Sequence, residues 1–449
     1  MKLSRFILLL FLFLLAISIE AYEGGVAYVH YADSTKEKSC AIKLNSINAS
    51  GISVVGVART WYEGGNLLWG IMHKDSVISV FSSSRLGNLS LYLPFSNLDC
   101  SADSLHIFSH TMGINKKDSC LMNSSLFVGS YYMNKLATSL SMPRAPQEPL
   151  LEYMVYDKIL SKSARQMIES YLAIKHGITL NQKEPSDYIN SCGDVIWSGR
   201  NNSDYAHAIA GIGKDDKTRL NQSIGHSIHA PFSPIISANK ELSNGMYLLW
   251  SHNGQPMSFL QTVQIDEVPI ARRWRFVPSG TMEGTLCNVQ FRIGGEENLP
   301  IIESNEMYYL KIDSSEVGDF QQEEYISYYK GIYQTATDIV FESVNIPPVK
   351  SHGMLVKRTL NKEDQEKPFR YVYVHPSPSV DGNIFIECGL WEQQPVTIRI
   401  YTIVGQQIYQ KQCNGASYYS LQAFLPTSGT YVVVVSVDDF ISIHKVLRS

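Results

Sequence analysis

Four groups of residues have types and spacings that could perform chemistry. The first is the sequence GIGKDD at residues 211–216, which begins like a dinucleotide-binding loop. Asp216 stands where that loop has its third glycine, and no strand–helix–strand pattern surrounds it, so we expect no nucleotide site. Asp215 and Asp216 could ligate calcium, which takes about six to eight oxygens. A solvated turn, in which Asp bonds its own backbone, is the expected alternative.

Histidines and acidic pairs form the second and third groups. His106 and His110 have the i, i+4 spacing of a zinc-binding helix, but no Glu lies between them and the local pattern is that of a strand. Glycoside hydrolysis needs two carboxylates that flank one bond. The Glu pairs at 296–297 and 323–324 are adjacent, so on a strand each pair would point to opposite faces. We expect no metal, no cofactor and no enzymatic activity.

The fourth group is aromatic. Trp61, Tyr62 and Trp69 flank the sequence EGG at residues 63–65. Exposed rings on a glycine-rich loop could stack on the face of a sugar, so a glycan or another surface ligand is the candidate partner of these three residues. Packing of the same rings in a hydrophobic core is the more common outcome and remains the alternative.

The composition excludes several classes of protein. Of the 449 residues, 18% are charged, 11% are aromatic and 26 are Tyr, which is typical of packed β-rich domains and not of disordered or collagen-like chains. The formal net charge is −4. The chain therefore has no overall positive field that would attract nucleic acid, and we expect no nucleic-acid partner.

The first residues have the pattern of a signal peptide. Lys2 and Arg5 precede an apolar stretch at 6–17 that is short for a membrane span, and Ala21 lies where signal peptidase would cut. We expect residues 1–21 to be removed and the mature chain to be secreted or held at the outer-membrane surface. No later segment has the apolar run of a transmembrane helix.

The seven cysteines include no CxxC pair, which argues against a zinc ribbon or a thioredoxin-like site. In an oxidising compartment Cys100 with Cys120, or Cys388 with Cys413, could form a disulfide. The sequence does not fix the Cα separation that a disulfide requires, so the pairing stays open.

Short alternating segments predict an all-β protein made of tandem sandwiches. Apolar and polar residues alternate in SVISVF at 76–81 and in LSLYL at 89–93, as in antiparallel strands. One helix interrupts this pattern. Ser161 can cap it, Gly177 can end it, and its apolar residues recur every three or four positions at Ala164, Met167, Ile168, Tyr171 and Leu172.

These patterns divide the chain into a leader and three domains. We expect residues 22–183 to form a β-sandwich closed by the helix, and residues 184–356 to form a second β-sandwich. Residues 357–370 are highly charged and poor in large apolar residues, as in a solvated linker. Residues 371–449 contain five or six strand patterns and fit a small Ig-like sandwich that folds alone.

The C-terminal segment carries an ordered set of motifs. It opens with HPSP at 375–378, continues with a strand, a glycine turn and a strand at 396–409, and has Lys-Val close to its end. In order and spacing these motifs resemble the sorting domain of type IX secretion cargo from Bacteroidota, although His375 and Ser377 replace the usual Tyr and Asn. The resemblance implies that the type IX secretion machinery is a partner and that the sorting signal comprises Pro376, Pro378, Gly382, Gly405, Gly429, Tyr431, Lys445 and Val446.

Two earlier regions also resemble known families. Residues 152–160 and 169–180 are similar to the end of concanavalin-like, laminin-G-like jelly rolls of Bacteroidota surface proteins. The segments at 211–216, 250–254 and 273–275 resemble an uncharacterised β-rich domain that often follows such a jelly roll. These resemblances imply that residues 22–183 form a jelly roll and that the protein has a surface location, and they supply no known reaction.

The leading hypothesis is an exported cell-surface or secreted protein with a binding or display function. Its C-terminal domain directs its delivery. A carbohydrate-active hydrolase built on the jelly roll is one alternative. The other is an accessory component of the type IX secretion machinery that keeps its C-terminal domain after export.

Overall fold

The computed structural model describes residues 150–449 except 183–184, 231–233, 261–266, 281–282, 296–297, 304, 316 and 361–367, and before residue 150 it describes the strand segments named below. The predicted leader at 1–21, the aromatic residues Trp61 and Tyr62, and Cys100 and Cys120 lie outside the described residues. Predictions about them stay predictions.

The protein is all-β, as the sequence predicts. Strands account for 56% and helix for 7% of the structure, and the sheets are antiparallel. The chain divides into two compact units, the first comprising residues 1–229 and 242–249 and the second residues 230–241 and 250–449. In the described part of the chain, no helix combines the length and the apolar character that a membrane span needs.

The first unit begins with two antiparallel sheets. One contains, in spatial order, Val26–His30 (β1), Leu150–Tyr156 (β9), Gly51–Arg59 (β3) and Leu105–Gly113 (β6). The other contains Cys40–Lys43 (β2), Ser125–Met133 (β7), Asn66–His73 (β4) and Ser76–Ser82 (β5), with Leu140–Ser141 (β8) paired to β7. Strand β3 has neighbours on both edges, and its residues 51–57 are all buried, as expected for a strand inside a sandwich.

The predicted helix is confirmed as Lys162–His176 (α1). The Ser161 hydroxyl accepts a hydrogen bond from the backbone N of Ala164 at 3.1 Å, and Gly177 ends the helix with a φ of 64°. A β-carbon at Gly177 would lie 2.2 Å from the carbonyl oxygen of His226, so close backbone packing as well as the positive φ requires glycine there.

The rest of the first unit follows α1. It contains a hairpin of Tyr188–Ile189 (β10) and Val195–Trp197 (β11), and the short Ile224–Gly225 (β14). Its central strand His207–Asp215 (β12) has Leu220–Gln222 (β13) on one edge and Tyr247–His252 (β16), of which residues 247–249 belong to this unit, on the other. The domain boundary predicted at 183–184 falls inside this unit. Residues on either side of this boundary are hydrogen-bonded within the unit: Gln166 Nε2 donates to the Asp187 carbonyl, and the Leu180 N donates to the Tyr188 hydroxyl, both at 2.9 Å.

The body of the second unit, residues 230–241 and 250–360, contains two further antiparallel sheets. One has the order Glu267–Ser279 (β17), Ser351–Thr359 (β23), Glu306–Asp313 (β19) and Ile326–Lys330 (β20). The other has the order Ile235–Ala238 (β15), Thr285–Arg292 (β18), Asp338–Ile346 (β22) and Ile332–Tyr333 (β21). Trp274 of the first sheet packs edge-to-face on Phe291 of the second at 5.2 Å between ring centroids, so side chains of both sheets share one core.

The tail, residues 369–449, is a seven-stranded sandwich. Its smaller sheet has the order Phe369–His375 (β24), Asn383–Leu390 (β25) and Tyr418–Phe424 (β28), and its larger sheet has the order Gln407–Cys413 (β27), Val396–Thr402 (β26), Gly429–Val437 (β29) and Phe440–Arg448 (β30). The buried core cluster between them draws all its members from 384–446, among them Ile384, Ile386, Ile398, Val433 and Val435. Cys388 and Cys413 are free thiols on different sheets, so the alternative of a disulfide between them is wrong.

The predicted linker at 357–370 belongs to strands at both ends. Lys357 and Arg358 lie in β23, where their charges are paired with carboxylates rather than solvated: Lys357 Nζ lies 2.5 Å from Glu306 Oε1, and Arg358 Nε donates to Glu267 Oε2 at 2.9 Å. Arg370 lies in β24. Residues 361–367 between them lie outside the described residues.

Arg370 joins the tail to the body of the second unit. Its guanidinium lies 4.3 Å from the ring centroid of Tyr333 in the body and 5.3 Å from that of Trp391 in the tail. The Tyr333 ring also lies 6.3 Å from that of Tyr371. One cation between two aromatic faces is therefore the centre of this contact.

We expect Arg370→Ala to loosen this contact, because a cation–π interaction contributes about 0.5–2 kcal/mol. Hydrogen exchange should quicken at the Trp391 amide, which donates to the Pro368 carbonyl at 3.1 Å, and along β21. Arg399→Ala on β26, in the other tail sheet, is the matched control and should leave both unchanged. Equal exchange in the R370A and wild-type chains would contradict this account.

Candidate functional site

The sequence GIGKDD forms the end of a strand and a turn, and no helix follows it. Asp215, at the end of β12, is buried and accepts hydrogen bonds from the Tyr247 hydroxyl at 2.6 Å, the Ser191 hydroxyl at 2.9 Å and the Lys217 backbone N at 3.0 Å. Burial alone would raise its pKa, but the bonds from Tyr247 and Ser191 outweigh that effect and lower the pKa.

The expected turn is present, and Asp215 bonds its own backbone as predicted, since its carboxylate accepts from the Lys217 N two residues further on. The prediction of solvation is right for Asp216, which is exposed, and wrong for Asp215, which is buried and also accepts hydrogen bonds from Ser191 and Tyr247. In the described part of the chain, no group of three or more His, Cys, Asp or Glu side chains is placed to hold a metal ion.

The aromatic group is only partly described. Trp69 lies on β4, where its backbone pairs with Phe81 and Val128. The sugar-stacking hypothesis for Trp61, Tyr62 and Trp69 stays a prediction. The acidic residues Glu323 and Glu324 are both exposed, as expected.

Most of the predicted sorting residues shape the tail. Gly382 is buried with a φ of 86°, and a β-carbon there would lie 2.7 Å from the Leu425 carbonyl oxygen. Gly405, with a φ of 87°, lies in the turn between β26 and β27, and Gly429 begins β29. Tyr431 is buried, its hydroxyl donates to the Thr427 carbonyl at 2.7 Å, and it pairs across the sheet with Val446.

The structure brings the beginning and the end of the tail motif together. The Ser377 hydroxyl accepts a hydrogen bond from the Leu447 N at 3.1 Å, and the Ser379 N donates to the Leu447 carbonyl at 2.8 Å. Pro376, Pro378 and Lys445 are exposed. The HPSP segment and the terminal strand β30 therefore form one continuous surface.

A cavity of about 580 Å³ lies in the first unit. The last turn of α1 forms one wall, and the segment 219–226, which includes β13 and β14, forms the other. Hydrogen bonds fix this segment against the helix end: Gln222 Nε2 donates to the carbonyls of Ile174 and Gly211 at 3.0 and 3.2 Å, and the Ile228 N donates to the Gly177 carbonyl at 3.0 Å. Hydrogen bonds within the protein therefore hold the two walls of the cavity in place.

A buried carboxylate holds the helix wall in place. Glu152 on β9 is 1% exposed, and its Oε2 lies 2.9 Å from Lys175 Nζ and 2.8 Å from His176 Nε2. The Tyr171 hydroxyl donates to Oε1 at 3.3 Å and accepts from Lys175 Nζ at 3.0 Å. Tyr171, Lys175 and His176 all line the cavity.

The charge of Glu152 is matched by its neighbours. Burial by itself would raise its pKa, but the hydrogen bond from His176 and the positive charge of Lys175 outweigh that effect and lower the pKa. Glu152 is therefore an anion inside the wall, and its partners face the cavity. This arrangement suits binding of a polar ligand, because the lining is rigid and rich in hydrogen-bonding groups.

The sequence interpretation missed this cluster. Its members lie 24 residues apart at the widest, on a strand and on a helix, so no local motif marks it. One signal was available, since Glu152 is the one charged residue in the apolar strand LLEYMVY. A carboxylate in a buried strand requires a cationic or hydrogen-bonding partner.

Comparison with known proteins gives little functional information. The model of a family described as a domain of unknown function (DUF8202) matches residues 164–348, which is less than half of the chain. No curated protein matches. Among solved structures, one titled "Biofilm associated protein - BSP domain" is similar, with 7% identity over 95% of this chain and 84% of that chain and a TM-score of 0.16. A TM-score this low carries no argument about fold or function.

Glu152→Gln should destabilise the first unit, because Lys175 would lose its buried counter-charge and His176 would lose a charged hydrogen-bond partner. The cost is up to about 3 kcal/mol, since Lys175 keeps some contact with water. In the wild type this contribution is present above the unfolded-state pKa of about 4.3 and is lost as the pH falls through the lower folded-state pKa. Urea unfolding of both chains at several pH values measures it. Parallel stability curves for the two chains at acidic pH would contradict this role.

Proposed function

We propose that this chain is an exported cell-surface or secreted protein that binds or displays, and that its tail is the address read by the type IX secretion machinery. The observation that carries the proposal is the closed core of the tail. Its buried cluster draws its members from the tail alone, so the tail has the interior that an independently folding module needs. A sorting domain that is attached to different proteins must fold in this way, independently of the domain that precedes it.

The surface of the tail supports recognition at its end. Strand β30 lies at the edge of the larger sheet. The HPSP segment covers its outer edge at Leu447, so pairing with another chain would use the outer backbone groups of residues 441–445. Ile441, Ile443, Lys445 and Leu447 alternate along β30 and are exposed. The HPSP segment borders the same strand, so both ends of the sorting motif would meet a receptor together.

The proposed binding function is assigned to the first unit. Its cavity is fixed by hydrogen bonds and by a buried ion cluster, and it lies in a different unit from the tail. The hydrolase alternative requires two carboxylates that face one cleft. The described residues that line the cavity are basic, uncharged polar or apolar, so no observation favours that alternative.

The delivery proposal predicts that the tail is necessary and sufficient for export to the surface. A chain truncated after residue 368 should stay in the periplasm, and a periplasmic reporter fused to residues 369–449 should reach the surface, as measured by cell fractionation and surface proteolysis. Val433→Asp places a charge in the tail core and should abolish delivery of the fusion. Tyr418→Asp, a matched change at an exposed position at the other end of the smaller sheet from the HPSP segment, should not. Surface arrival of the truncated chain would refute the proposal.

Removal of the tail after export separates cargo from an accessory component. Lys357–Thr359 are held in β23 and Phe369 begins β24. Backbone paired in a sheet is a poor protease substrate, so a processing protease should cut between the two strands, within residues 360–368. Mass spectrometry of the surface-located protein would give a new C-terminus in this interval. A C-terminus at Ser449 would instead support the accessory-component alternative.

A further inference from the structure

The lining of the cavity in the first unit is basic. Lys175 and His176 come from the last turn of α1, and Arg219 and His226 come from the opposite wall. No Asp or Glu is among the described residues that line it. Glu152 lies within the wall, where its charge is balanced by that of Lys175 and where His176 hydrogen-bonds to it. Arg219 on the opposite wall therefore supplies the positive charge that a ligand meets in the cavity.

Other groups of the lining suit a hydroxylated ring. Asn221 and Ser223 are exposed on the segment wall and present an amide and a hydroxyl, which can donate to and accept from hydroxyl groups. Ile224, which is 60% exposed, and the Tyr171 ring add apolar surface on opposite walls. The volume of about 580 Å³ falls within the range of small-ligand pockets, about 300–1,000 Å³.

We propose that this cavity binds a sugar that carries a carboxylate, such as a uronic acid residue; this rests on the proposed binding role of the first unit. Arg219 pairs with the carboxylate, because a planar guanidinium can donate two parallel hydrogen bonds to it. Asn221 and Ser223 bond the ring hydroxyls, and the ring face packs on Ile224. The positive surface selects acidic sugars, and the uncharged donors select a hydroxylated skeleton over a bare inorganic anion.

Titration calorimetry on the purified full chain tests this with ligand pairs that differ in charge alone. D-Galacturonate and D-glucuronate should bind at least about tenfold more tightly than D-galactose and D-glucose, which corresponds to one charge-assisted hydrogen-bond pair. Binding of the uronates should weaken as salt rises, since screening reduces the attraction between partly exposed charges. Inorganic phosphate should bind more weakly than either uronate.

Arg219→Gln should weaken uronate binding at least about tenfold and leave the affinity for neutral sugars unchanged. Glutamine keeps a side chain at this position, whose φ is 59°, so the backbone requirement is the same. Lys217→Gln removes the same charge from an exposed residue outside the lining and is the matched control. Thermal unfolding of both variants shows whether they keep the wild-type fold.

Three results would overturn the proposal: equal affinity for uronates and neutral sugars, no binding of any uronate at millimolar concentration, or a folded R219Q chain that binds as tightly as the wild type. Phosphate binding stronger than uronate binding would assign the cavity to an inorganic anion instead. Delivery is measured separately, since R219Q should reach the cell surface normally. Loss of binding with normal delivery, and loss of delivery with normal binding, therefore identify which proposal fails.

Discussion

The buried charge of Glu152 is the constraint on which the site of the first unit depends. A carboxylate on a strand inside a sandwich is costly unless cations and hydrogen-bond donors surround it. Lys175 and His176 meet this need from the last turn of α1, where positive charge also compensates the exposed carbonyl end of the helix. The end of α1 is thereby fixed against β9, and with it the wall of the cavity and the backbone contact between Gly177 and His226.

The helix could be predicted from sequence because its signals are local. The Ser161 cap, the Gly177 stop and the apolar spacing all lie within one segment, and the structure confirms them. The site could not be predicted, since Glu152 meets Lys175 only after β9 and α1 have packed together. Asp215 shows the same limit, because its partners Ser191 and Tyr247 lie far away in sequence. Sequence spacing reveals an element, but a buried polar cluster is made by tertiary contacts.

Strand alternation predicted the tail for a related reason. One face of each central tail strand is buried, as at Ile398 and Ile400 on β26 and at Val433 and Val435 on β29. Apolar residues therefore recur at every second position, and this alternation is visible in the sequence. Boundaries were less predictable. The charged residues at 357–358 indicated a solvated linker, yet they pair with Glu306 and Glu267 inside a sheet. Composition shows that a segment is polar but does not show whether water or protein satisfies its charges.

The same ion cluster that positions α1 also influences the sign of the charge that faces the cavity. A single buried carboxylate behind the wall would repel an acidic ligand. A carboxylate paired with Lys175 and His176 presents a compact set of opposite charges, whose field falls off faster with distance than that of one charge. The groups on the opposite wall, Arg219 and His226, then dominate what a ligand meets. The requirement that a buried charge be matched during folding thus leaves a basic surface facing the cavity, and folding and ligand preference in this unit have one electrostatic origin.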